Sequence, residues 1–227
     1  MVLTWLTSGC QKKIESIKKE DILMSGYHIY GRPFAGSLVA EFLLTEVGNA
    51  YTISFPNKEE RDSEAFRSFS PLGKIPALKT PEGYLICETV AIIAHITDRH
   101  SELIPSSTES RDRYWEILSL LGTTMYPAYH RQHHPYYYGP DVAFNEMRRL
   151  ARGDQSLLLN HVEAMLAPYL CGNILTAADF YFYMMSRWDM KKETMFDGRP
   201  KLQTFVSKMR QHPSIDKVLA SQPRKPH

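Results

Sequence analysis

Glu88 and Thr89 lie at the start of a stretch with apolar residues at helical spacing, 89–100. The free N–H groups and the dipole at a helix N-terminus attract carboxylates, so a hydroxyl and an acidic group at this place could belong to a ligand site. The same two side chains could instead only cap the helix. A cap and a ligand site use the same groups, and the pair therefore leaves both interpretations open.

The turn Gly73-Lys74-Ile75-Pro76 stands directly before the apolar pair Ala77-Leu78. Proline cannot donate to a strand ladder and is tolerated at the first residue of a strand. Taken alone, the turn is equally consistent with a simple chain reversal and with main chain that faces a ligand. The next runs, "PALKT" and "YLICE", are separated by Pro-Glu-Gly, which predicts a β-hairpin.

The segment "TMYPAYHRQHHPYYYG" (124–139) is rich in ring-bearing side chains. Four of them are spaced to share one helical face: Tyr126, Tyr129, His130 and His133. Aromatic faces suit a flat apolar molecule, so we expect this face to line a pocket. His130 with His133 or His134 lacks a nearby carboxylate or cysteine, and we predict no metal site. Residues 136–138, three tyrosines, are interpreted as loop and packing residues.

Composition excludes several classes of protein. Hydrophobic residues make up 43% of the 227 residues, which is typical of a globular protein with a sizeable core. A formal net charge of +2 does not indicate a strongly basic, nucleic-acid-binding protein. Cys10, Cys87 and Cys171 are too few and too scattered for a disulfide framework, which favours a reducing compartment. No apolar run reaches about 18 residues, so we expect no membrane span.

The order of elements predicts two modules. Strand-like and helix-like runs alternate as βαβαββα, over 27–33, 37–48, 50–55, 58–70, the hairpin and 89–100. Beyond residue 107 the pattern is helical only, over 111–130, 142–169, 177–190 and 201–221. We therefore expect an N-terminal extension over 1–25, a first domain over 26–100, a linker over 101–110 and a helical domain over 111–227.

The segment "LTAADF" (175–180) has the residue pattern of a capped helix N-terminus. Thr176 can cap the backbone, and Asp179, three residues later, can return the hydrogen bond. Leu175 and Phe180 occupy the positions of a hydrophobic staple. We interpret this group as structural and assign it no part in chemistry.

Taken together, "SPLGKIPAL", "ETVAIIAHI" and "LTAADFYFYMMSRW" resemble the soluble glutathione transferase family, and its bacterial members most. The resemblance covers about residues 27–220 and implies a thioredoxin-like N-terminal domain followed by an all-helical domain. It also implies a cis peptide bond before Pro76, so that the backbone of Ile75 pairs with the cysteine of glutathione. An enzyme of this kind conjugates glutathione, its co-substrate, to small hydrophobic electrophiles.

The same resemblance implies roles for the residues introduced above. Lys74, Ile75 and Pro76 would bind glutathione, Glu88 would pair with its γ-glutamyl ammonium, and Thr89 would bind the adjacent carboxylate. The ring-bearing face of 124–139 would line the pocket for the second substrate. The family also implies a homodimer in the cytoplasm.

The group that activates the thiol is left open by the sequence. A free thiol has a pKa near 8.5, and a hydroxyl that donates to the sulfur, or a helix N-terminus, favours the thiolate. Bacterial relatives often have Cys-Ser after the first strand, where this chain has Gly36-Ser37. We therefore expect Ser37 at the helix start, or Tyr30 at the strand end, to be the donor.

Two other functions stay open, and the missing cysteine favours the first of them. The chain could be a binding or regulatory protein that has the transferase fold without the activity. It could also be a specialised glutathione-dependent lyase or dehalogenase.

Overall fold

The computed structural model describes residues 26–223, so the predicted extension over 1–25 lies outside the described residues. Four strands form one sheet: β1 Tyr27–Tyr30, β2 Tyr51–Ser54, β3 Ala77–Lys79 and β4 Leu85–Cys87. Their order across the sheet is β2-β1-β3-β4; β1 and β2 are parallel and the other pairs are antiparallel. This mixed sheet confirms the thioredoxin-like βαβαββα prediction.

Four helices accompany the sheet: α1 Leu38–Glu46, α2 Lys58–Asp62, α3 Glu64–Arg67 and α4 Thr89–Arg99. The single helix predicted over 58–70 is wrong in detail, because the chain forms two short helices there. Ser63 between them is extended, with φ −64° and ψ 152°, and its hydroxyl accepts a hydrogen bond from the N–H of Phe66 at 3.2 Å. A serine that caps a new helix in this way ends the previous one.

The second half of the described chain is helical, as predicted. Its helices are α5 Thr108–Leu120, α6 Tyr126–His133, α7 Phe144–Met165, α8 Ala177–Ser186, α9 Lys192–Met195, α10 Pro200–Arg210 and α11 Pro213–Ser221. Short 3₁₀ turns cover Ser101–Leu103, Pro135–Tyr137 and Asp141–Ala143. The helix predicted over 201–221 is divided at His212, which is extended before Pro213. The division into domains at 101–110 stays a prediction.

A π-helical turn, Leu121–Met125, joins α5 to α6 where the helical half meets α4. A Cβ built on Gly122 would lie 2.8 Å from Cγ2 of Val90, so a larger residue here would force the Val90 side chain to shift. Pro127 has no N–H to donate to the preceding turn, which favours the wider ladder. Such turns often occur at functional sites, and this one sets the position of Tyr126 at the start of α6.

The predicted helix start at 176–179 is confirmed. The carboxylate of Asp179 accepts hydrogen bonds from the N–H of Thr176 at 2.8 Å, its hydroxyl at 2.9 Å and the N–H of Leu170 at 2.9 Å. Asp179 is fully buried, and burial raises its pKa to about 6 against the lowering effect of these bonds. All residues of α8 are buried, so the donors at its start have no access to water.

The hydrophobic core is continuous through both halves of the described chain. Ile29 and Leu78 of the sheet pack with α1 and α4 on one side, and Phe42 of α1 contacts Phe180 and Tyr183 of α8. Helix α1 therefore lies between the sheet and the helical half. Within residues 26–223 no helix combines the length and the apolar character needed to cross a membrane.

Candidate active site

The peptide bond between Ile75 and Pro76 is cis, as the resemblance implied. The segment before it is held at two points: the Ser70 hydroxyl donates to the Lys74 carbonyl at 2.9 Å, and the Arg61 guanidinium donates to the Gly73 carbonyl at 3.2 Å. Neither main-chain polar group of Ile75 forms a hydrogen bond within the described residues. Because backbone groups need partners, Ile75 offers a donor and an acceptor to an extended peptide.

Glu88 and Thr89 lie at the start of α4, beside this segment. Glu88 is exposed and has φ +71° and ψ 125°, a conformation that is unfavourable for a residue with a Cβ and that clusters at functional sites. Its side chain makes no capping bond, and the Thr89 hydroxyl forms no hydrogen bond within residues 26–223. The capping alternative therefore does not account for these two side chains: the Glu88 carboxylate is exposed, and the Thr89 hydroxyl is unpaired among the described residues although Thr89 is only 9% exposed.

Ser37 directly precedes α1 and is 1% exposed. Its hydroxyl accepts a hydrogen bond from the N–H of Arg32 at 3.3 Å and donates to the carbonyl of the same residue at 3.2 Å. A Cβ built on Gly31 would lie 2.4 Å from the Ser37 oxygen, so the absence of that Cβ makes room for the hydroxyl. Ser37 thus closes the turn between β1 and α1 and is turned away from solvent.

Tyr30 lies at the end of β1, half-buried, next to Ala77 of β3. Its ring packs against Phe66 and Phe69, with centroid distances of 5.7 Å and 5.1 Å. These contacts place the ring in an aromatic cluster with α3 and the loop after it.

A different hydroxyl reaches the position of the missing cysteine. A Cβ built on Gly36 would lie 3.2 Å from the hydroxyl oxygen of Tyr126 and 3.5 Å from Cδ of Pro76. Gly36, the cis proline and the Tyr126 hydroxyl therefore meet at one point, close to the start of α1. The Tyr126 hydroxyl forms no hydrogen bond within residues 26–223.

Two charged residues, Arg32 and Glu88, affect the pKa of the Tyr126 hydroxyl. Burial raises the pKa of its hydroxyl, Arg32 opposes that rise, and Glu88 adds to it. The hydroxyl therefore stays protonated at neutral pH and is able to donate. Arg32 in the β1–α1 turn and Glu88 at α4 are both near enough to this ring to influence its charge.

The ring-bearing residues of α6 divide into two groups. Tyr126 and His130 lie nearly parallel at 6.5 Å, and Tyr137 continues the row at 5.6 Å from His130. Tyr138, which we interpreted as a loop residue, is hydrogen-bonded through its hydroxyl to Nδ1 of His130 at 2.8 Å.

The other two residues of the predicted face, Tyr129 and His133, point elsewhere. Tyr129 is 1% exposed and its ring meets Trp188 at 6.3 Å, inside the helical half. His133 is exposed, and its Nε2 is 2.7 Å from the Trp188 carbonyl oxygen. The two pairs, Tyr126 with His130 and Tyr129 with His133, follow neighbouring stripes along α6, and the Trp188 ring also contacts Tyr126 at 5.2 Å. Because Tyr129 is buried, the four rings do not form one exposed face.

Two protein-family models match the chain in sequence order. The glutathione S-transferase N-terminal domain matches residues 25–98, and the glutathione S-transferase C-terminal domain matches residues 133–222. The chain belongs to the glutathione S-transferase family. The family models favour a transferase over a non-catalytic protein of the same fold, and glutathione is the co-substrate of the enzyme.

Individual glutathione S-transferases are similar to this chain over most of its length. Glutathione S-transferase GstA of Escherichia coli O157:H7 is 24% identical over 203 residues, which are 86% of this chain and 98% of the relative. Glutathione S-transferase Y-2 of Pichia kudriavzevii is 25% identical over 178 residues, 76% of this chain and 90% of the relative. A sphingomonad glutathione S-transferase solved with glutathione is 26% identical, with a TM-score of 0.73 over 86% of this chain and 98% of that chain.

Two contacts at the candidate site were not predicted from the sequence. Gly36 was read as a lost cysteine, although its lack of a side chain is what admits the Tyr126 hydroxyl. Trp188 joins the helical half to the β1–α1 turn, because its indole N–H donates to the Phe34 carbonyl at 3.1 Å. No local pattern marks these contacts, because they join residues far apart in sequence. Within the described range, no three His, Cys, Asp or Glu side chains gather as a metal site.

A buried carboxyl group of the transferase lies under the β1–α1 turn. Glu41 of α1 is 1% exposed; Oε2 accepts a hydrogen bond from the Gln222 amide at 2.8 Å, and Oε1 has no partner within residues 26–223. Burial raises the pKa of Glu41 to about 7, and the neighbouring Gln222 and Ser37 side chains limit the rise.

This group makes stability depend on pH. Because the pKa of Glu41 is raised above its ordinary value of 4.5, folding favours the protonated form, and that stabilisation is lost as pH rises through about 7. We expect the free energy of unfolding to fall by about 2.5 kcal/mol from this group between pH 5 and pH 8. Glu41→Gln should flatten the profile by that amount in urea unfolding measured at several pH values, and an unchanged profile would contradict the assignment.

Proposed function

We propose that the glutathione thiolate forms above Gly36, between the Tyr126 hydroxyl and the N-terminus of α1, and attacks a small hydrophobic electrophile held beside the rings of α6. The observation that carries this proposal is the meeting of Gly36, Pro76 and the Tyr126 oxygen at one point. Because Gly36 has no side chain, the Tyr126 hydroxyl can reach this point, and the sulfur of the co-substrate would lie beside that hydroxyl.

Glutathione would lie along the edge formed by β3 and α4. The unpaired main-chain groups of Ile75, next to the cis Pro76, suit the backbone of its cysteine. The exposed carboxylate of Glu88 suits the γ-glutamyl ammonium, and Thr89 at the helix start suits the adjacent carboxylate. Lys74 is exposed on the same segment and suits the other end of the tripeptide.

Activation then follows from electrostatics. The thiol loses its proton to solvent, and the resulting thiolate accepts a hydrogen bond from Tyr126 and is stabilised by the α1 dipole and the charge of Arg32. A decrease of one unit in the thiol pKa corresponds to about 1.4 kcal/mol. The thiolate forms a C–S bond with the electrophilic carbon, and the leaving group departs with its electron pair.

Ser37 and Tyr30 remain alternative donors. Both hydrogen-bonding roles of the Ser37 hydroxyl are already used by Arg32, and the Tyr30 ring packs among phenylalanines. These contacts support a structural role for Ser37 in closing the turn and favour Tyr126 as the donor.

The electrophile would lie against the ring row Tyr126–His130–Tyr137, where flat apolar molecules can stack. Tyr138 fixes the His130 ring through its hydroxyl. Symmetric dimers are the commonest oligomers, and a homodimer working in the cytoplasm fits a transferase of this kind.

A glutathione-affinity column followed by conjugation of glutathione to an aryl halide tests this function. The proposal predicts retention of the chain and turnover. Retention without turnover would point to a specialised lyase or dehalogenase substrate, and an unretained chain would refute the glutathione site.

The role of Glu88 gives a separate prediction. Glu88→Gln keeps the shape of the side chain and removes the charge that pairs with the ammonium, so we expect the KM for glutathione to rise about 10-fold with little change in kcat. Steady-state kinetics at varied glutathione measures the effect. Glu82→Gln, on the exposed hairpin turn, is the matched control, and an equal KM in both variants would refute the assignment of Glu88.

A further inference from the structure

The turn between β1 and α1, which contains Gly36, has one residue in the left-handed region of backbone conformation. Phe34 has φ +57°, which is unfavourable for a residue with a Cβ. Inside the turn, the N–H of Ala35 donates to the Arg32 carbonyl at 3.2 Å, and Ser37 bonds both main-chain groups of Arg32. Neither the N–H nor the carbonyl of Phe34 is used by these internal bonds.

The N–H and the carbonyl of Phe34 are instead hydrogen-bonded to side chains of the helical half. The N–H donates to Oε1 of Gln222 at 3.2 Å, and the carbonyl accepts from the Trp188 indole at 3.1 Å. The two partners are 188 and 154 residues away in sequence. The helical half therefore holds the strained peptide of the thiol-binding turn.

The orientation of the Gln222 amide is set by Glu41. Gln222 is 7% exposed, directly after α11, and its Nε2 donates to Oε2 of Glu41 at 2.8 Å. Oε2 of Glu41 accepts this bond whether the group is a carboxylate or an acid protonated on Oε1, so the amide nitrogen lies on the Glu41 side and the amide oxygen is left for Phe34. The helix that carries Gln222 is also fixed to α1, because the Ser214 hydroxyl donates to Glu46.

We propose that Gln222, oriented by Glu41, is a positioning residue that holds the Phe34 peptide and thereby keeps Gly36 in register with the Tyr126 hydroxyl. Gln222 does not contact the reacting atoms. Its effect passes through the turn, because Gly36 lies two residues after Phe34. This role rests on the proposed thiolate site above Gly36.

A charge exchange between the two partners tests the pair. Gln222→Glu replaces the amide donor by a second carboxyl group: the two groups repel as carboxylates or must share one proton, and either state disturbs the geometry at Phe34. We expect kcat to fall at least about 10-fold, since small displacements at a reacting centre are costly, while the KM for glutathione stays within about 3-fold. Adding Glu41→Gln restores one donor and one acceptor between the side chains, and the double variant should recover kcat to within about 3-fold of the original protein.

A second readout does not depend on turnover. Hydrogen exchange of the Phe34 amide should speed up at least about 10-fold in Gln222→Glu and in Gln222→Ala, and return to the original rate in the double variant. Gln211→Ala, at an exposed glutamine, is the matched control and should leave both kcat and this exchange rate unchanged.

The outcomes separate this inference from the function proposed above. Unchanged Phe34 exchange in both Gln222 variants, or a double variant that folds and yet recovers neither kcat nor slow exchange, would overturn the positioning role. Faster exchange with unchanged kcat would also overturn it, because the turn would then move without consequence. An original protein that neither binds nor uses glutathione would refute the function, and the exchange rates would still decide whether Gln222 holds Phe34.

Discussion

Tyr126→Phe lowers kcat/KM for conjugation about 100-fold, the effect of losing one well-placed donor to a developing or stabilised anion. The substitution keeps the ring and its contacts with His130 and Trp188 and removes only the hydroxyl that lies over Gly36. The pKa of the bound thiol should rise toward its free value, because the sulfur loses its hydrogen bond. Rates measured across pH 6 to about 9 would show this as a shift of the profile to higher pH.

Two matched variants make the result specific to Tyr126. Tyr30→Phe and Ser37→Ala remove the hydroxyls that the sequence favoured, and Tyr30→Phe is expected to leave the pH profile in place. Ser37→Ala should lower stability through the loss of its bonds to Arg32. If Tyr126→Phe retains full activity and one of the other two does not, the thiolate forms elsewhere in the site.

Asp179→Ala has the largest expected effect on stability. The change leaves three donors at the start of α8 without an acceptor, on Leu170 and Thr176, and each buried unpaired donor costs about 1–3 kcal/mol. The gain from removing a buried charge offsets part of the loss, so we expect a net decrease of about 3–5 kcal/mol in the free energy of unfolding. For a chain of this length that corresponds to a fall of about 10 °C in Tm.

Calorimetry or urea unfolding of the variant provides the measurement. Asp112→Ala, at an exposed position of α5, is the control and should change stability by less than about 0.5 kcal/mol. A loss equally small at Asp179 would show that its hydrogen bonds are replaced elsewhere.

The sequence predicted those parts of the fold that depend on residues close to one another in the chain. The order of strands and helices follows from the alternation of apolar periods, and the start of α8 follows from Thr176 and Asp179 at capping-box spacing. The break at Ser63 was missed, because a serine in a polar stretch is compatible both with a helix interior and with a new cap.

The site was only partly predictable for a physical reason. Ile75, Pro76, Glu88 and Thr89 lie in local motifs, and the structure leaves the main chain of Ile75 and the polar side-chain atoms of Glu88 and Thr89 available to a ligand. The position of Tyr126 depends instead on an absent Cβ at residue 36, and such a fit between distant parts of the chain has no signature in the order of residues.

The most direct test of the thiolate site is a crystal structure of the protein with glutathione. The sulfur is expected above Gly36, within hydrogen-bonding distance of the Tyr126 oxygen and farther from the oxygens of Ser37 and Tyr30. A sulfur bonded to Ser37 or Tyr30, or a Tyr126 hydroxyl that fills the space above Gly36 while glutathione lies elsewhere, would contradict it.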